Sequence, residues 1–170
     1  MPNITLRHWL LFALLTILWG TSFLNIAISL RSFTPEEIVA WRLVFAAAVL
    51  LLFMYMRGQR LPFNIRDWAK FSMFAAMGNL LPYWLITNGQ QTVTSGMAGL
   101  LMAVMPLGTM LLAHWFIAGE RLNKYRICGF VLGISGVLFV LWPSLISGSN
   151  SFYGALIILL AALSYSTNTI

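Results

Sequence analysis

The chain has 170 residues, of which 60% are hydrophobic and only 8% are charged, and its formal net charge is +6. A soluble domain carries about 25% charged residues, so composition excludes a soluble globular protein, which could not cover its surface in water with so few charges. The single cysteine, Cys128, excludes an internal disulfide. The composition therefore predicts an integral membrane protein.

Six apolar segments follow one another along the chain, separated by short links rich in turn residues. Each is about as long as a membrane-spanning helix, which needs about 20 mostly apolar residues. The first is too long for the apolar core of a signal peptide, so we interpret it as an uncleaved span. The predicted spans are 9–30, 38–56, 68–88, 97–118, 127–142 and a sixth that begins near 153 and continues to 170. The predicted fold class is an all-α integral membrane protein with five complete transmembrane helices plus part of a sixth.

The basic residues lie almost entirely on one side of the predicted membrane. The opposite side carries only Arg31, and Arg42 lies inside a span. The N-terminal side carries Arg7, Arg57, Arg60, Arg66, Lys70, Arg121, Lys124 and Arg126. Because basic residues concentrate in cytoplasmic links, the N-terminus is predicted to be cytoplasmic. The positive charge is thus explained by membrane topology, and no nucleic-acid partner is expected.

Trp19 is the one tryptophan without an interfacial explanation, since the other six lie near the ends of spans, where aromatic belts form. It follows Trp9 by ten residues. That places it roughly 15 Å deep at about 1.5 Å per residue, near the bilayer midplane. We hypothesise that Trp19 lines a central cavity and that Gly20 lets another helix or a substrate approach the backbone. The alternative is ordinary packing of the large ring.

Arg42 lies within the second span, and a charge at the membrane centre costs about 2.5–3.5 kcal/mol on insertion scales. Two interpretations remain open. Arg42 could extend to the outer surface or serve a structural pairing. It could instead face the helix bundle and bind an anionic substrate.

Two prolines are predicted to bend spans and to mark the binding region. Pro82 frees the carbonyl of Gly78, one turn earlier. Asn79 and Tyr83 are four residues apart, so they share a helix face near mid-membrane. Broken helices often mark the binding site of transporters, although a purely structural kink explains the same pattern. Pro106 is predicted to bend the fourth span in the same way.

A weak internal repeat relates the first and last spans. The segment "ALLTILWGTSF" aligns with "LLAALSYSTNT", which places Trp19 over Tyr165. Five spans separate the two starts, so the two segments run in opposite directions. Inverted repeats of this kind build many secondary transporters. We therefore expect a complete protein of ten spans, of which this chain stops within the sixth.

Enzyme motifs are absent from the sequence. It contains no H-E-x-x-H, G-x-S-x-G or P-loop pattern, and no carboxylate lies in the middle of a span. The protein is therefore not expected to be an enzyme or to carry a metal or other cofactor. Nor does this part of the protein show an acid suited to proton coupling.

The order and spacing of several motifs resemble the EamA repeat of the drug/metabolite transporter superfamily. The resemblance covers about residues 9–143. Its elements are "WGTSF" in span 1, Pro35 before span 2, Arg42 within span 2, "TSGMAGLLMAVMP" in span 4, "GERL" at the end of span 4 and "GVLF" in span 5. It implies that residues 1–148 form the first five-helix repeat and that 149–170 begin a second repeat, truncated in span 6.

The resemblance also implies a function. Members of this family are ten-helix transporters of the cell (inner) membrane that move small metabolites or toxic compounds, often outward. The expected function is movement of a small metabolite, amino acid or drug-like compound by alternating access, in the efflux direction. The expected partners are a small-molecule substrate, the lipid bilayer, and the missing C-terminal repeat or a second copy in a homodimer. The alternative is a non-transporting membrane subunit or scaffold that needs a partner half.

Overall fold

The computed structural model describes residues 5–62, 64–117, 119–120, 122–146 and 150–170. Within these ranges the chain is helical apart from short links and contains no strand. The helices are α1 (Leu6–Ser29), α2 (Pro35–Met56), α3 (Ile65–Ala75), a π-helix (Ala76–Leu80), α4 (Leu81–Gly89), α5 (Ser95–Met102), α6 (Val104–Phe116), α7 (Lys124–Ile146) and α8 (Asn150–Thr169).

Five helical segments within the described ranges are long and apolar enough to cross a membrane. They are Leu6–Ser29, Pro35–Met56, Ser95–Phe116, Lys124–Pro143 and Ser151–Thr169. They correspond to predicted spans 1, 2, 4, 5 and 6, so the all-α membrane class is confirmed. The last segment begins at Ser151, two residues before the predicted start of the sixth span. The ten-helix inverted repeat remains a prediction.

The predicted third span, 68–88, is not one of these five segments. The chain is helical from 65 to 89, but α3, the π-helix and α4 divide that run into pieces of 11, 5 and 9 residues. The division falls immediately before Pro82, which cannot donate the backbone hydrogen bond that would continue a regular helix. The apolar pattern predicted the extent of this run, and the proline explains its interruption.

Two helices extend beyond the spans that the sequence predicted, one because of a polar cap at its start and one because it continues through a proline. α2 begins at Pro35 rather than at 38, because a capping box precedes it. The Thr34 hydroxyl accepts a hydrogen bond from the Glu37 backbone N–H at 3.3 Å, and the Glu37 carboxylate accepts one from the Thr34 N–H at 2.8 Å. α7 continues through Pro143 to Ile146 rather than ending at 142.

α8 lies at the centre of the helical arrangement and packs mainly against α4, α5 and α6. Four of its apolar side chains are fully buried, and Ser166 is buried with them. The four are Ala155, Ile158, Ala161 and Ala162. Most side chains of α1 and α2 are instead exposed. The residues predicted to begin a second repeat therefore form the most buried of the five long apolar segments.

Glycines let α8 approach its neighbours closely. A Cβ atom at Gly154 of α8 would lie 2.7 Å from the carbonyl oxygen of Gly89 on α4, and the converse holds for a Cβ at Gly89. A Cβ at Gly108 of α6 would lie 2.6 Å from Ser166 Oγ, and one at Gly78 would collide with the Asn168 amide. Small residues at helix contacts permit such close backbone approach in membrane proteins.

Candidate functional site

A cavity of about 450 Å³ lies where α1, α2, α4 and α8 meet the π-helix and the α5–α6 junction. We call it the central cavity. Its lining combines aromatic, polar and flexible apolar side chains. The lining residues are Leu18, Trp19, Ser22, Phe23, Ile26, Arg42, Asn79, Tyr83, Ile86, Met102, Met105 and Tyr165.

The central cavity brings together four of the five predicted binding residues. Trp19 comes from α1, Arg42 from α2, Asn79 from the π-helix and Tyr83 from α4. The Trp19 side chain is 71% exposed, so it is not packed into a core. Gly20 is not among the lining residues, and no other described group lies within 4 Å of the position a Cβ would take there. Its proposed role as a contact point remains a prediction.

A second cavity, of about 760 Å³, lies between α1 and α2 on the side of the link that joins them. We call it the α1–α2 cavity. It is lined in part by Asn25, Phe33 and Trp41. Arg42 and Tyr83 line both cavities, as do Leu18, Ser22 and Ile26. These side chains therefore stand at the boundary between the two spaces.

Arg42 packs over the ring of Tyr83. The guanidinium carbon lies 4.3 Å from the ring centroid, and Nη2 donates a hydrogen bond of 3.4 Å to Ser22 Oγ. A cation over an aromatic face gains about 0.5–1 kcal/mol when exposed and about 2 kcal/mol when desolvated, which offsets part of the cost of a charge in the membrane. The structure places Arg42 at the cavities with Tyr83 and Ser22 as its partners, and both a structural pairing and a substrate contact of Arg42 remain predictions.

Tyr165 of α8 is a cavity residue that was not predicted as a binding residue. It lines the central cavity with Trp19 and Tyr83. The one signal for it in the sequence was its alignment with Trp19 in the weak internal repeat. Met102 and Met105 complete the apolar wall, and their flexible thioethers adapt to ligands of different shape.

The interruption before Pro82 is stabilised by α8. In the π-helix, the Leu81 N–H donates to the carbonyl of Ala76, five residues earlier. The next bond in that pattern would run from residue 82 to the carbonyl of Met77, but proline has no N–H. The Ser164 hydroxyl donates to the Met77 carbonyl instead, at 2.9 Å. The sequence predicted that Pro82 frees the carbonyl of Gly78. In the structure, the carbonyl that accepts a hydrogen bond from another helix is instead that of Met77, because the π-helix shifts the bonding pattern by one residue.

The Pro106 region has a similar arrangement. α5 ends at Met102, and Pro106 lies in the first turn of α6. The carbonyl of Met105 accepts a hydrogen bond of 2.8 Å from the buried Ser166 hydroxyl of α8. Near each of the two predicted bending points, a serine hydroxyl of α8 therefore donates a hydrogen bond to a backbone carbonyl. Whether Pro82 and Pro106 bend during a functional cycle remains a prediction.

We expect Ser164→Ala to weaken the junction between α8 and the π-helix. The substitution removes the donor to the Met77 carbonyl and should lower the free energy of unfolding by about 1 kcal/mol. Thermal unfolding of the purified protein in detergent measures this. Ser135→Ala is the matched control, since the Ser135 hydroxyl bonds only within α7, to the Val131 carbonyl. Equal melting temperatures for the two variants would contradict a stabilising role of the Ser164 bond.

Comparison with known proteins supports the resemblance that the motifs indicated. The sequence profile of the EamA-like transporter family matches residues 7–142. The chain is 29% identical over 162 residues to YdfC, an uncharacterised transporter of Bacillus subtilis, covering 95% of this chain and 52% of that protein. It is 27% identical over 161 residues to YedA, an uncharacterised inner membrane transporter of Escherichia coli, covering 94% and 51%.

A plant protein is similar as well. The chain is 28% identical over 170 residues to a chloroplastic WAT1-related protein of Arabidopsis thaliana, covering 98% of this chain and 40% of that protein. The chain thus spans about half the length of these relatives or less. No solved structure matches it significantly. The family match covers most of the chain, and together with the five apolar helices it shows that this multi-pass membrane protein belongs to the EamA-like transporter family.

Proposed function

We propose that the chain is the first repeat of a transporter that moves a small metabolite, amino acid or drug-like compound across the cell membrane, in the efflux direction, by alternating access. One observation carries this proposal. Side chains from seven helices (α1, α2, the π-helix, α4, α5, α6 and α8) converge on the central cavity, and several of them are polar although they lie within apolar helical segments. Polar groups at membrane depth are costly, and they commonly mark substrate pathways.

The chemistry of the central cavity supports a small amphipathic ligand. Trp19 and Met102 offer apolar surface, whereas Asn79, Tyr83 and Tyr165 offer hydrogen-bonding groups. Small-molecule sites typically combine a mostly apolar wall with a few polar groups that fix orientation. A volume of about 450 Å³ lies within the range of such sites.

The proposed cycle uses the helix interruptions and a second repeat. A second five-helix repeat would cover the exposed faces of α1 and α2, and the two repeats would rock around the central cavity. Pro82 and Pro106 would serve as bending points, and Arg42 would act as an electrostatic element on the outer side. The relatives named as transporters are about twice as long as this chain, which supports the proposal of a second repeat.

Transport in proteoliposomes tests the proposed function. The full-length protein, with both proposed repeats, is reconstituted into vesicles loaded with an unlabelled mixture of amino acids, aromatic acids and lipophilic cations. Uptake of each labelled compound by counterflow is then compared with that of protein-free vesicles. We expect at least one compound class to accumulate above the protein-free level. Accumulation of none, with the protein verified as folded and inserted, would contradict the proposal and favour a non-transporting subunit.

A further inference from the structure

The guanidinium of Arg42 lies at the boundary of two cavities, where its donors remain available. The guanidinium carbon lies over the Tyr83 ring, 4.3 Å from the ring centroid, and the group carries five N–H donors around its edge. Only one of them donates to a described side chain, Ser22, at the long distance of 3.4 Å. Both described partners of Arg42 are neutral, so neither compensates its charge.

The carboxylates nearest in sequence are engaged elsewhere. Glu37 accepts hydrogen bonds from the backbone and the hydroxyl of Thr34 at the start of α2, at 2.8 and 3.1 Å. Glu36 accepts a hydrogen bond from the Trp84 indole at 3.3 Å. Neither forms an ion pair with Arg42 in the part of the chain that the structure describes.

The two remaining carboxylates lie at the opposite end of the helices. Asp67 is in the first turn of α3, and Glu120 pairs with Arg126 at 2.7 Å in the link before α7. With these the four acidic residues of the sequence are accounted for. Among the described residues, Arg42 is therefore a cavity cation without an anionic partner.

We propose that the substrate carries a carboxylate that binds the edge of the Arg42 guanidinium, and that its apolar body extends into the central cavity against Trp19 and Met102. Arginine presents paired N–H groups that match the two oxygens of a carboxylate. The Tyr83 and Tyr165 hydroxyls lie in the same cavity and supply further donors. This inference rests on the proposed transport function and adds the substrate class, an amphipathic organic acid.

A matched pair of probes tests this substrate class. 3-Phenylpropionate and 3-phenylpropionamide share shape and apolar body, but only the acid is charged at neutral pH. Binding of both is measured by calorimetry on the protein in nanodiscs of zwitterionic lipid. We expect the acid to bind roughly tenfold more tightly than the amide, because only the carboxylate carries a charge opposite to that of the guanidinium and can accept two parallel N–H···O bonds from it.

Three variants separate a direct role of Arg42 from a general effect of charge. Arg42→Gln should abolish the preference for the acid, so that acid and amide bind with similar affinity. Arg42→Lys keeps the charge without the paired donors and should retain part of the preference. Arg31→Gln removes an exposed arginine outside both cavities and should leave both affinities unchanged.

The outcomes distinguish this inference from the function on which it rests. If wild type binds acid and amide equally, or if Arg42→Gln retains the preference for the acid, the carboxylate assignment is wrong while a transporter of neutral compounds remains. Binding of neither probe, together with no transport of any compound class, overturns both proposals. Loss of acid binding on adding phosphatidylglycerol to the nanodiscs would assign Arg42 to a lipid headgroup and overturn a soluble substrate.

Discussion

Trp19→Ala is expected to reduce transport by roughly tenfold or more. Each ~1.4 kcal/mol of lost binding free energy corresponds to a factor of ten, and truncating an anchoring aromatic residue often costs more than that. Trp19 contributes a large apolar surface to the central cavity, and its side chain is 71% exposed in the described chain. Its removal therefore takes away ligand contact without emptying a packed core. Counterflow in proteoliposomes measures the effect on transport, and the melting temperature reports stability.

Trp9→Ala is the matched control for Trp19→Ala. Trp9 lies on the same helix, is 61% exposed, and lines neither the central cavity nor the α1–α2 cavity. The Trp9→Ala variant should transport at close to the wild-type rate, apart from any change in the amount of inserted protein. Equal loss of transport in the two variants, or unchanged transport in Trp19→Ala for every substrate, would show that Trp19 has no specific role in the cavity.

The largest stability effect is expected for Gly154→Ala. The added Cβ would meet the Gly89 carbonyl oxygen at 2.7 Å and Val93 Cγ2 at 2.9 Å. The first of these atoms belongs to the backbone of α4 and cannot rotate away, so α8 must shift. Overpacking of this kind costs typically 1–3 kcal/mol, which should appear as a lower melting temperature in detergent.

Gly136→Ala is the control for Gly154→Ala, because the same substitution is not expected to lower stability at this position. Gly136 lies within α7, and no described group lies within 4 Å of the Cβ position there. Because alanine is favoured over glycine in a helix by about 1 kcal/mol, this variant should be as stable as wild type or slightly more so. If Gly154→Ala melts at or above the temperature of Gly136→Ala, the close approach of α4 and α8 is wrong.

The sequence predicted the helices well because apolar length is a local property. Five of the six spans are present as long apolar helical segments, one of them divided into α5 and α6, and the capped start of α2 at Pro35 is only a few residues from its predicted position. The interruption of the third span could be anticipated from Pro82, but the π-helix that accommodates it could not. Its bonding depends on Ser164, a residue of another helix.

Part of the central cavity could also be predicted, because some of its residues are unusual in their local sequence. Trp19, Arg42, Asn79 and Tyr83 each break a local rule for a membrane helix, so each could be singled out before their proximity was known. The contact between Arg42 and Tyr83 arises only when α2 packs near α4. The central position of α8, which brings Tyr165 into the cavity, depends on the close approach of Gly89 and Gly154 and leaves little trace in the sequence.

Cysteine accessibility tests most directly the claim that the central cavity is a substrate pathway open to water. Cys128 is replaced by serine, which leaves no other thiol, and single cysteines are introduced at Ser22 or Thr21. These neighbours lie at the same depth on α1, but only Ser22 lines the cavities, while Thr21 is exposed outside them. We predict that a charged, membrane-impermeant thiosulfonate labels Ser22→Cys and not Thr21→Cys, and that transported compounds slow the labelling. Equal reactivity at both positions, or an unreactive Ser22→Cys, would contradict the account.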